Sequence, residues 1–282
     1  MTLHIDRFAL RKPAAILGLT LIAVHLLIAL FSPWIAPFDP VELVGGRAEA
    51  PSLEYLMGTD VLGRDYLSRL LHGGRMALLV CFTGVVLAVV VGSVLGVAAA
   101  YFGGTLDDVL MRICDVKLAL PGILFVSLFI TGFGESLPVL IALISLVYFP
   151  GVIRIVRAQA LSQVNLGYVK AAQLRGERAA SIIVREILPN TLDVVYVEFA
   201  IRMSHAVLLL STMSYLGLGL SPPTPDWGLM VSEAVGQIAF APWLVIFPAV
   251  FISTLVIGLN FGAEALANAL GMDAARGYVG GT

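Results

Sequence analysis

Six long apolar runs divide this chain of 282 residues, and they limit its possible folds more than any other feature does. A helix of about 20 apolar residues is long enough to cross the hydrocarbon core of a lipid bilayer. Charged residues make up only 13% of the chain, about half of their share in a water-soluble domain. We therefore predict an all-α integral membrane protein with about six transmembrane helices. The predicted spans cover residues 14–35, 76–100, 118–133, 139–153, 194–215 and 243–261.

The positions of lysine and arginine predict how the chain crosses the membrane, because cytoplasmic loops carry an excess of both. With the N-terminus inside, twelve of these residues fall on the inner side and four on the outer side, and Arg202 falls within a span. The first span follows Arg7, Arg11 and Lys12 as in a signal peptide, but it is long and lacks a clear cleavage site, so we interpret it as a retained anchor. We expect both termini in the cytoplasm. The predicted segments are a cytoplasmic N-terminus at 1–13, an anchor at 14–35, an external loop at 36–75, a five-helix core at 76–265 and a cytoplasmic C-terminal tail at 266–282.

The external loop ends in a stretch whose apolar residues share one helical face. Asp65 is a suitable cap for such a helix. Its apolar face holds Leu67, Leu70 and Leu71, and its polar face holds Ser68 and Arg69. We predict a short amphipathic helix that lies at the membrane interface before the second span.

A basic, helical stretch at 157–190 interrupts the apolar pattern between the fourth and fifth spans. Its cations are Arg157, Lys170, Arg175, Arg178 and Arg185. Gly176 divides the stretch into two short helices, and Pro189 ends the second one. Ala171 and Ala172 have small side chains, so they would give the first helix a face that can fit into a groove on another protein. The residues alone support two interpretations of this stretch equally: a docking element, or an ordinary basic loop on the cytoplasmic side.

Three ionisable residues lie on one face of the predicted fifth span. Glu198, Arg202 and His205 are spaced at i, i+4 and i+7. Ionisable side chains within a span normally face the interior of a bundle or a water-filled cavity. We interpret them as a polar stripe along a translocation path; the alternative is a structural ion pair, with His205 bonded to a backbone carbonyl. A metal site is not predicted, because one imidazole is not a coordination sphere.

The sequence has no motif for catalysis or for nucleotide binding. A nucleophile elbow, an HExxH pair and paired carboxylates are all missing, so we expect no catalytic residues and no enzyme activity. A phosphate loop of the GxxxxGKS or GxxxxGKT type is missing too, so a partner must bind any ATP that drives transport. The rival interpretation is an ion-coupled secondary transporter or a membrane-embedded enzyme that uses Glu198, Arg202 and His205.

Four runs along the chain carry a resemblance to a known family. The runs "GTDVLGRDYLSRLLHGGR", "YFGGTLDDVLMR", "SYLGLGLSPPTPDWG" and "APWLVIFP" resemble the second permease subunit of dipeptide, oligopeptide and nickel ATP-binding-cassette importers. The stretch from Tyr168 to Asn190 resembles the ATPase-docking loop of these importers. Lys170 stands where that loop usually has an acid, and Glu186 where it usually has a histidine.

The resemblance implies a type I importer permease fold in a bacterial inner membrane, where the chain forms half of a translocation path. It implies that the segment 157–190 docks on an ATPase through Tyr168, Lys170, Ala171, Ala172, Gly176 and Glu177. The implied partners are a sister permease in a heterodimer, two ATPase subunits that bind ATP and Mg, an external solute-binding protein and the lipid membrane, with no nucleic acid. The chain itself is expected to bind no cofactor. Short peptides are the first expected substrate, and nickel or another small solute is the alternative.

Overall fold

The computed structural model describes residues 11–271, which form a bundle of α-helices. The predicted tails at 1–13 and 266–282 lie mostly outside these residues, although the last helix extends into the second tail. The helices are α1 (Pro13–Ile35), α2 (Tyr66–Phe102), α3 (Gly104–Ala119), α4 (Gly122–Phe133), α5 (Leu137–Val164), α6 (Gly167–Leu174), α7 (Ala179–Ile182), α8 (Leu192–Tyr215), α9 (Trp227–Ala234) and α10 (Trp243–Ala269). Five of them are long and apolar enough to cross a membrane, and α3 with α4 adds a sixth span if that bent pair counts as one. The prediction of about six transmembrane helices is therefore confirmed.

Helix α2 is longer than a single span requires. Its 37 residues extend over about 55 Å, whereas the hydrocarbon core is about 30 Å thick. Asp65 caps the first turn, since its side chain accepts a hydrogen bond from the Ser68 backbone N–H at 2.7 Å. The structure thus differs from the prediction of a separate amphipathic helix, because those residues are the first turns of α2. Arg69, which the pattern places on a polar face, is fully buried because Asp60 and Glu233 pair with it.

Close packing of α2 against α5 forms the centre of the bundle. Gly92 and Gly96, whose four-residue spacing favours close helix approach in lipid, both face α5. A Cβ atom added to Gly92 would lie 2.8 Å from Cβ of Val152. A Cβ atom added to Gly96 would lie 2.7 Å from the carbonyl oxygen of Ile153. A larger residue at either position would therefore push the two helices apart.

Helix α1 packs along α10 in a similar way. A Cβ atom added to Gly18 would lie 2.6 Å from Cβ of Phe261. Further along α1, the buried ring of His25 places Nδ1 at 3.0 Å from the carbonyl oxygen of Leu21 and Nε2 at 3.2 Å from that of Phe251. The first span is thus joined to the last by close contact and by a buried polar side chain.

Helices α3 and α4 meet at a bend of 94°. The bend lies at Leu120 and Pro121, because proline lacks the N–H that would continue the hydrogen bonds of α3. The predicted span at 118–133 therefore consists of α4 and the approach to it, and α3 runs antiparallel to α5 along its second half. Two ion pairs hold α3 there, Arg157 with Asp107 and Arg154 with Asp115.

A buried charge cluster orders the segment 36–65 that precedes α2. Asp60 pairs with Arg64 at 2.6 Å and with Arg69 at 3.3 Å. Glu233 of α9 lies 3.6 Å and 3.3 Å from the same two arginines. The cluster thus holds this segment to the first turns of α2 and to α9. We call this end of the bundle the loop side.

Candidate functional site

The residues between α5 and α8 form a compact unit at 165–191 that we call the knob. The predicted docking stretch starts at 157, but α5 continues to Val164, so Arg157 belongs to the helix and not to the knob. The knob packs on the ends of α2 and α5, opposite the loop side. Its own core consists of the fully buried side chains of Val169, Ala172, Ile182 and Ile187.

Gly176 ends the first helix of the knob, as the sequence predicts. Its φ is +72°, a left-handed conformation that glycine adopts without a clash at Cβ. The Gly176 N–H donates to the carbonyl oxygen of Gln173 at 3.0 Å, and the Glu177 N–H donates to that of Ala172 at 3.2 Å. This pair of hydrogen bonds is the Schellman motif, which satisfies the last carbonyl groups of a helix. The break between α6 and α7 is therefore a defined turn.

Pro189 shapes the second half of the knob. Helix α7 continues into a π turn, Ile183–Ile187, and then into a 3-10 turn, Leu188–Asn190. Pro189 has no N–H to donate to an earlier carbonyl group. The side-chain amide of Asn190 donates instead to the carbonyl oxygen of Glu186 at 2.6 Å. The residues "ILPN" thus close the knob onto the start of α8.

The structure divides the predicted docking residues between the surface and the interior of the knob. Lys170, Ala171 and Gly176 are exposed, Tyr168 and Glu177 are half-buried, and Ala172 is fully buried. The two alanines do not share a face, because consecutive residues of a helix point about 100° apart. Sequence reasoning missed Leu174, whose side chain is 89% exposed and lies one turn after Lys170. The sequence feature that could have indicated Leu174 is an apolar residue four positions after Lys170, on the same helical face as that cation.

The two half-buried docking residues have partners within this chain. The Tyr168 hydroxyl donates to Oε1 of Gln163 at 3.0 Å. Burial raises the pKa of Tyr168 above its ordinary value, so the hydroxyl stays protonated at neutral pH. Nη2 of Arg175 donates to Oε1 of Glu177 at 2.7 Å, across the turn at Gly176. Both residues therefore brace the knob from within this chain.

The second candidate site lies near the middle of α8. Arg202 donates from Nε and Nη2 to Oε2 of Glu198, at 3.0 Å and 2.8 Å. Its guanidinium lies 5.9 Å from the centre of the Tyr148 ring, and Nη2 lies 3.1 Å from where a Cβ atom of Gly151 would be. The absence of a side chain at Gly151 thus makes room for Arg202 against α5. Glu198 and Arg202 form the ion pair that their spacing allows.

His205 stands apart from this ion pair. Its side chain is exposed, whereas Glu198 is buried. Within residues 11–271 it forms no hydrogen bond to a backbone carbonyl, and no group of three or more metal-ligating side chains occurs there. His205 is therefore the most accessible member of the predicted stripe.

Lys117 joins the α8 site, although sequence reasoning placed it in a cytoplasmic loop. Its Nζ donates to the carbonyl oxygen of Val147 at 2.6 Å, beside the turn of α5 that meets Arg202. The signal in the sequence is a lysine four residues before Pro121, directly before the apolar run 118–133. The bend between α3 and α4 therefore brings a second cation to the middle of the bundle.

Comparison with protein families identifies the class of this bundle. The model of the family described as "binding-protein-dependent transport system inner membrane component" matches residues 88–271, more than half of the chain. The chain belongs to this family. A second model, for the N-terminal transmembrane domain of oligopeptide transport permease C, matches residues 7–51. The matched region of this transport family includes the knob and the α8 site.

Individual relatives of this transport family are similar along nearly the whole chain. The dipeptide transport system permease protein of Escherichia coli K12 is 37% identical over 267 residues, which cover 92% of this chain and 89% of the relative. The corresponding dipeptide permease of Haemophilus influenzae is 36% identical over 263 residues, with coverage of 91% and 89%. The oligopeptide transport system permease protein of Haemophilus influenzae is 34% identical over 263 residues, with coverage of 92% and 85%. The resemblance of the four sequence runs is therefore confirmed, and this chain is a multi-pass permease component of a transport system.

Proposed function

We propose that this permease forms half of the translocation path of an ATP-driven importer for short peptides. It acts with a sister permease in a heterodimer, with two ATPase subunits that bind ATP and Mg, and with an external solute-binding protein. The chain itself contributes no catalytic residue and binds no cofactor. The single observation that carries the proposal is the exposed surface of the knob, which combines apolar side chains with cations.

The exposed surface of the knob suits a partner that offers an apolar groove with an acidic rim. The side chains of Leu174 and Val184 are 89% and 59% exposed. The exposed cations of the same segment are Lys170, Arg175, Arg178 and Arg185. Apolar anchors within a polar rim are typical of protein–protein interfaces. Because this chain has no phosphate loop of its own, an ATPase is the partner that we propose for this surface.

Short peptides are the substrates that the relatives favour. The three relatives above are named for dipeptides and oligopeptides, and the chain covers 85–89% of their length. None of the three is named for nickel, which stays the alternative substrate. We place the knob in the cytoplasm of a bacterial cell, where ATP is available, and the loop side towards the external binding protein. Both termini are then cytoplasmic.

Leu174→Glu tests the docking surface without disturbing the fold of the knob. The side chain is 89% exposed, so the charge should leave the permease folded. It should weaken retention of the ATPase by about tenfold or more, since a buried unpaired carboxylate is costly. Leu53→Glu is the matched control, because Leu53 is 99% exposed on the loop side. Equal ATPase retention by the two variants in co-purification would contradict docking through this surface.

The two neighbouring alanines separate docking from folding. Ala172→Trp should destabilise the knob by about 1–3 kcal/mol, because a bulky residue is forced into a filled core. Ala171→Trp places the same residue on the surface, so the permease should be obtained in normal yield. If the surface docks on an ATPase, the Ala171→Trp variant should nevertheless lose retention of the ATPase and ATP-driven peptide uptake. Normal retention and uptake with Ala171→Trp would remove Ala171 from the interface.

Transport itself is tested with the complete complex in lipid vesicles. The permease is reconstituted with its sister permease, its ATPases and its binding protein, and uptake of a labelled dipeptide is measured with and without ATP. We expect ATP-dependent accumulation. Accumulation of a nickel complex, with no accumulation of any dipeptide, would replace the proposed substrate and leave the proposed architecture in place.

A further inference from the structure

Lys117 places a positive charge at the bend between α3 and α4, beside the middle of α5. Its Nζ donates to the carbonyl oxygen of Val147 at 2.6 Å and lies 5.5 Å from the centre of the Phe125 ring. In the described part of the chain, no carboxylate forms an ion pair with Lys117. A cation at membrane depth is costly unless an anion or water compensates for it. Among the described residues, Lys117 thus has no carboxylate partner where it meets the transmembrane helix α5.

Arg202 brings a second cation to the same part of α5. Glu198 occupies its Nε and Nη2 through a single carboxylate oxygen, Oε2. Lys117 bonds to the carbonyl oxygen of Val147, and Arg202 lies over the ring of the next residue, Tyr148, so both cations meet the same turn of α5. The carboxylate of Glu198 pairs with Arg202 and not with Lys117, so Lys117 leaves the site as a whole positively charged. An anion that enters between α3, α5 and α8 would gain from both of them.

A groove that residues of both α3 and α4 line adjoins Lys117 at the α3–α4 bend. Its volume is about 420 Å³, within the range of about 300–1,000 Å³ that is usual for small-molecule sites. Two cations, Arg112 and Lys117, line it together with four apolar residues, Ile113, Val116, Leu120 and Phe125. Such a groove suits a small ligand that has both a negative group and an apolar part.

We propose that Lys117 and Arg202 form a transit site for the carboxylate of the peptide substrate. The proposal rests on the proposed function, because a peptide can meet these two residues only if it moves through the bundle. The C-terminal carboxylate of a peptide has two oxygens, so it accepts hydrogen bonds from an ammonium and a guanidinium together. An apolar side chain of the peptide then lies against Ile113 and Phe125. Broken helices near the middle of a membrane are a common setting for substrate sites in transporters.

The test uses three dipeptides that differ in charge, alanyl-lysine, alanyl-glutamine and alanyl-glutamate, with the complete complex in vesicles. In Lys117→Met, the complex should assemble as in the wild type. Uptake per complex should fall about tenfold for alanyl-glutamine, since hydrogen bonds to charged groups are among the stronger ones. The loss should be larger for alanyl-glutamate and smaller for alanyl-lysine. Lys117→Arg, which keeps the charge, should retain most of the uptake, and so should Lys12→Met, which removes an exposed lysine elsewhere.

Each other outcome overturns the transit site in a different way. A reduced yield of the complex, with normal uptake per assembled complex, would mean that Lys117 pairs with a carboxylate of another subunit. Equal losses for the three dipeptides would mean that the charge of the substrate is not sensed. A loss that appears only in vesicles with anionic phospholipid, whatever the dipeptide, would assign the groove to a lipid headgroup. If the wild-type complex takes up none of the three dipeptides, the proposed substrate fails instead, independently of Lys117.

Discussion

Nη2 of Arg202 lies 2.8 Å from Oε2 of Glu198, one helical turn earlier on α8. Glu198 is 6% exposed, so this guanidinium is the partner that compensates the charge of its carboxylate inside the bundle. The charge of Arg202 is thus needed twice, for the stability of α8 and for the proposed transit of a carboxylate. Variants that remove the pair singly and together can separate the two roles.

Arg202→Ala should lower the yield of the folded complex, because it leaves the buried Glu198 carboxylate without a partner at a cost of about 3–5 kcal/mol. The double variant Glu198→Gln/Arg202→Gln should restore most of the yield, since two neutral amides need no counter-ion. Peptide uptake by the double variant should stay low, because the positive charge of Arg202 is gone. Size-exclusion chromatography measures the yield, and uptake is counted per assembled complex. A double variant that assembles no better than Arg202→Ala would contradict the stabilising pair.

Gly92→Ala should destabilise the contact between α2 and α5. The added Cβ atom would lie 2.8 Å from Cβ of Val152, and overpacking of this kind costs about 1–3 kcal/mol. Gly132→Ala in α4 is the matched control, since a Cβ atom there meets nothing within 4 Å. Alanine favours a helix over glycine by up to about 1 kcal/mol, so the control should be neutral or slightly stabilised. Thermal unfolding in detergent compares them, and equal midpoints would show that α2 and α5 can move apart freely.

The spans could be predicted from the sequence because apolar length is a local property. The bend between α3 and α4 could not, since Pro121 indicates an interruption but not its direction. Lys117 was assigned to a loop for the same reason: its position depends on α3 lying along α5, which is fixed by contacts such as Arg157 with Asp107. The predicted orientation of the ends depends on charge counts alone.

The burial of Arg69 shows the same limit at the loop side. A local helical pattern places this residue on a polar face, where solvent would be its partner. In the structure it pairs with Glu233, 164 residues later in the chain, and with Asp60. In the knob, the alanine pair predicted one helix face with two small side chains, but Ala172 points inwards and Ala171 points outwards. Long-range partners and helix rotation therefore decided what local patterns left open.

Asp60→Asn should destabilise the loop side more than Glu233→Gln does. Asp60 is itself buried, and it pairs with two buried arginines, Arg64 at 2.6 Å and Arg69 at 3.3 Å. Loss of its charge leaves these cations undercompensated, at a cost of about 3–5 kcal/mol. The side chain of Glu233 is 24% exposed, so solvent should reduce the cost there to about 1 kcal/mol. Limited proteolysis of the segment 36–65 and thermal unfolding measure both, and equal effects would mean that Asp60 is not the centre of the cluster.

The orientation of the bundle can be determined with one cysteine on each side of it. Ala180 on the knob and Leu53 on the loop side are both exposed, Leu53 by 99%, whereas the native Cys81 and Cys114 are fully buried and should give little background. Because the predicted inner loops carry the excess of lysine and arginine, we expect the knob inside the cell. A membrane-impermeant thiol reagent should therefore label Leu53→Cys in intact cells, and it should label Ala180→Cys only after the membrane is opened. Labelling of Ala180→Cys in intact cells would place the knob outside, where it could not meet an ATPase that uses cytoplasmic ATP.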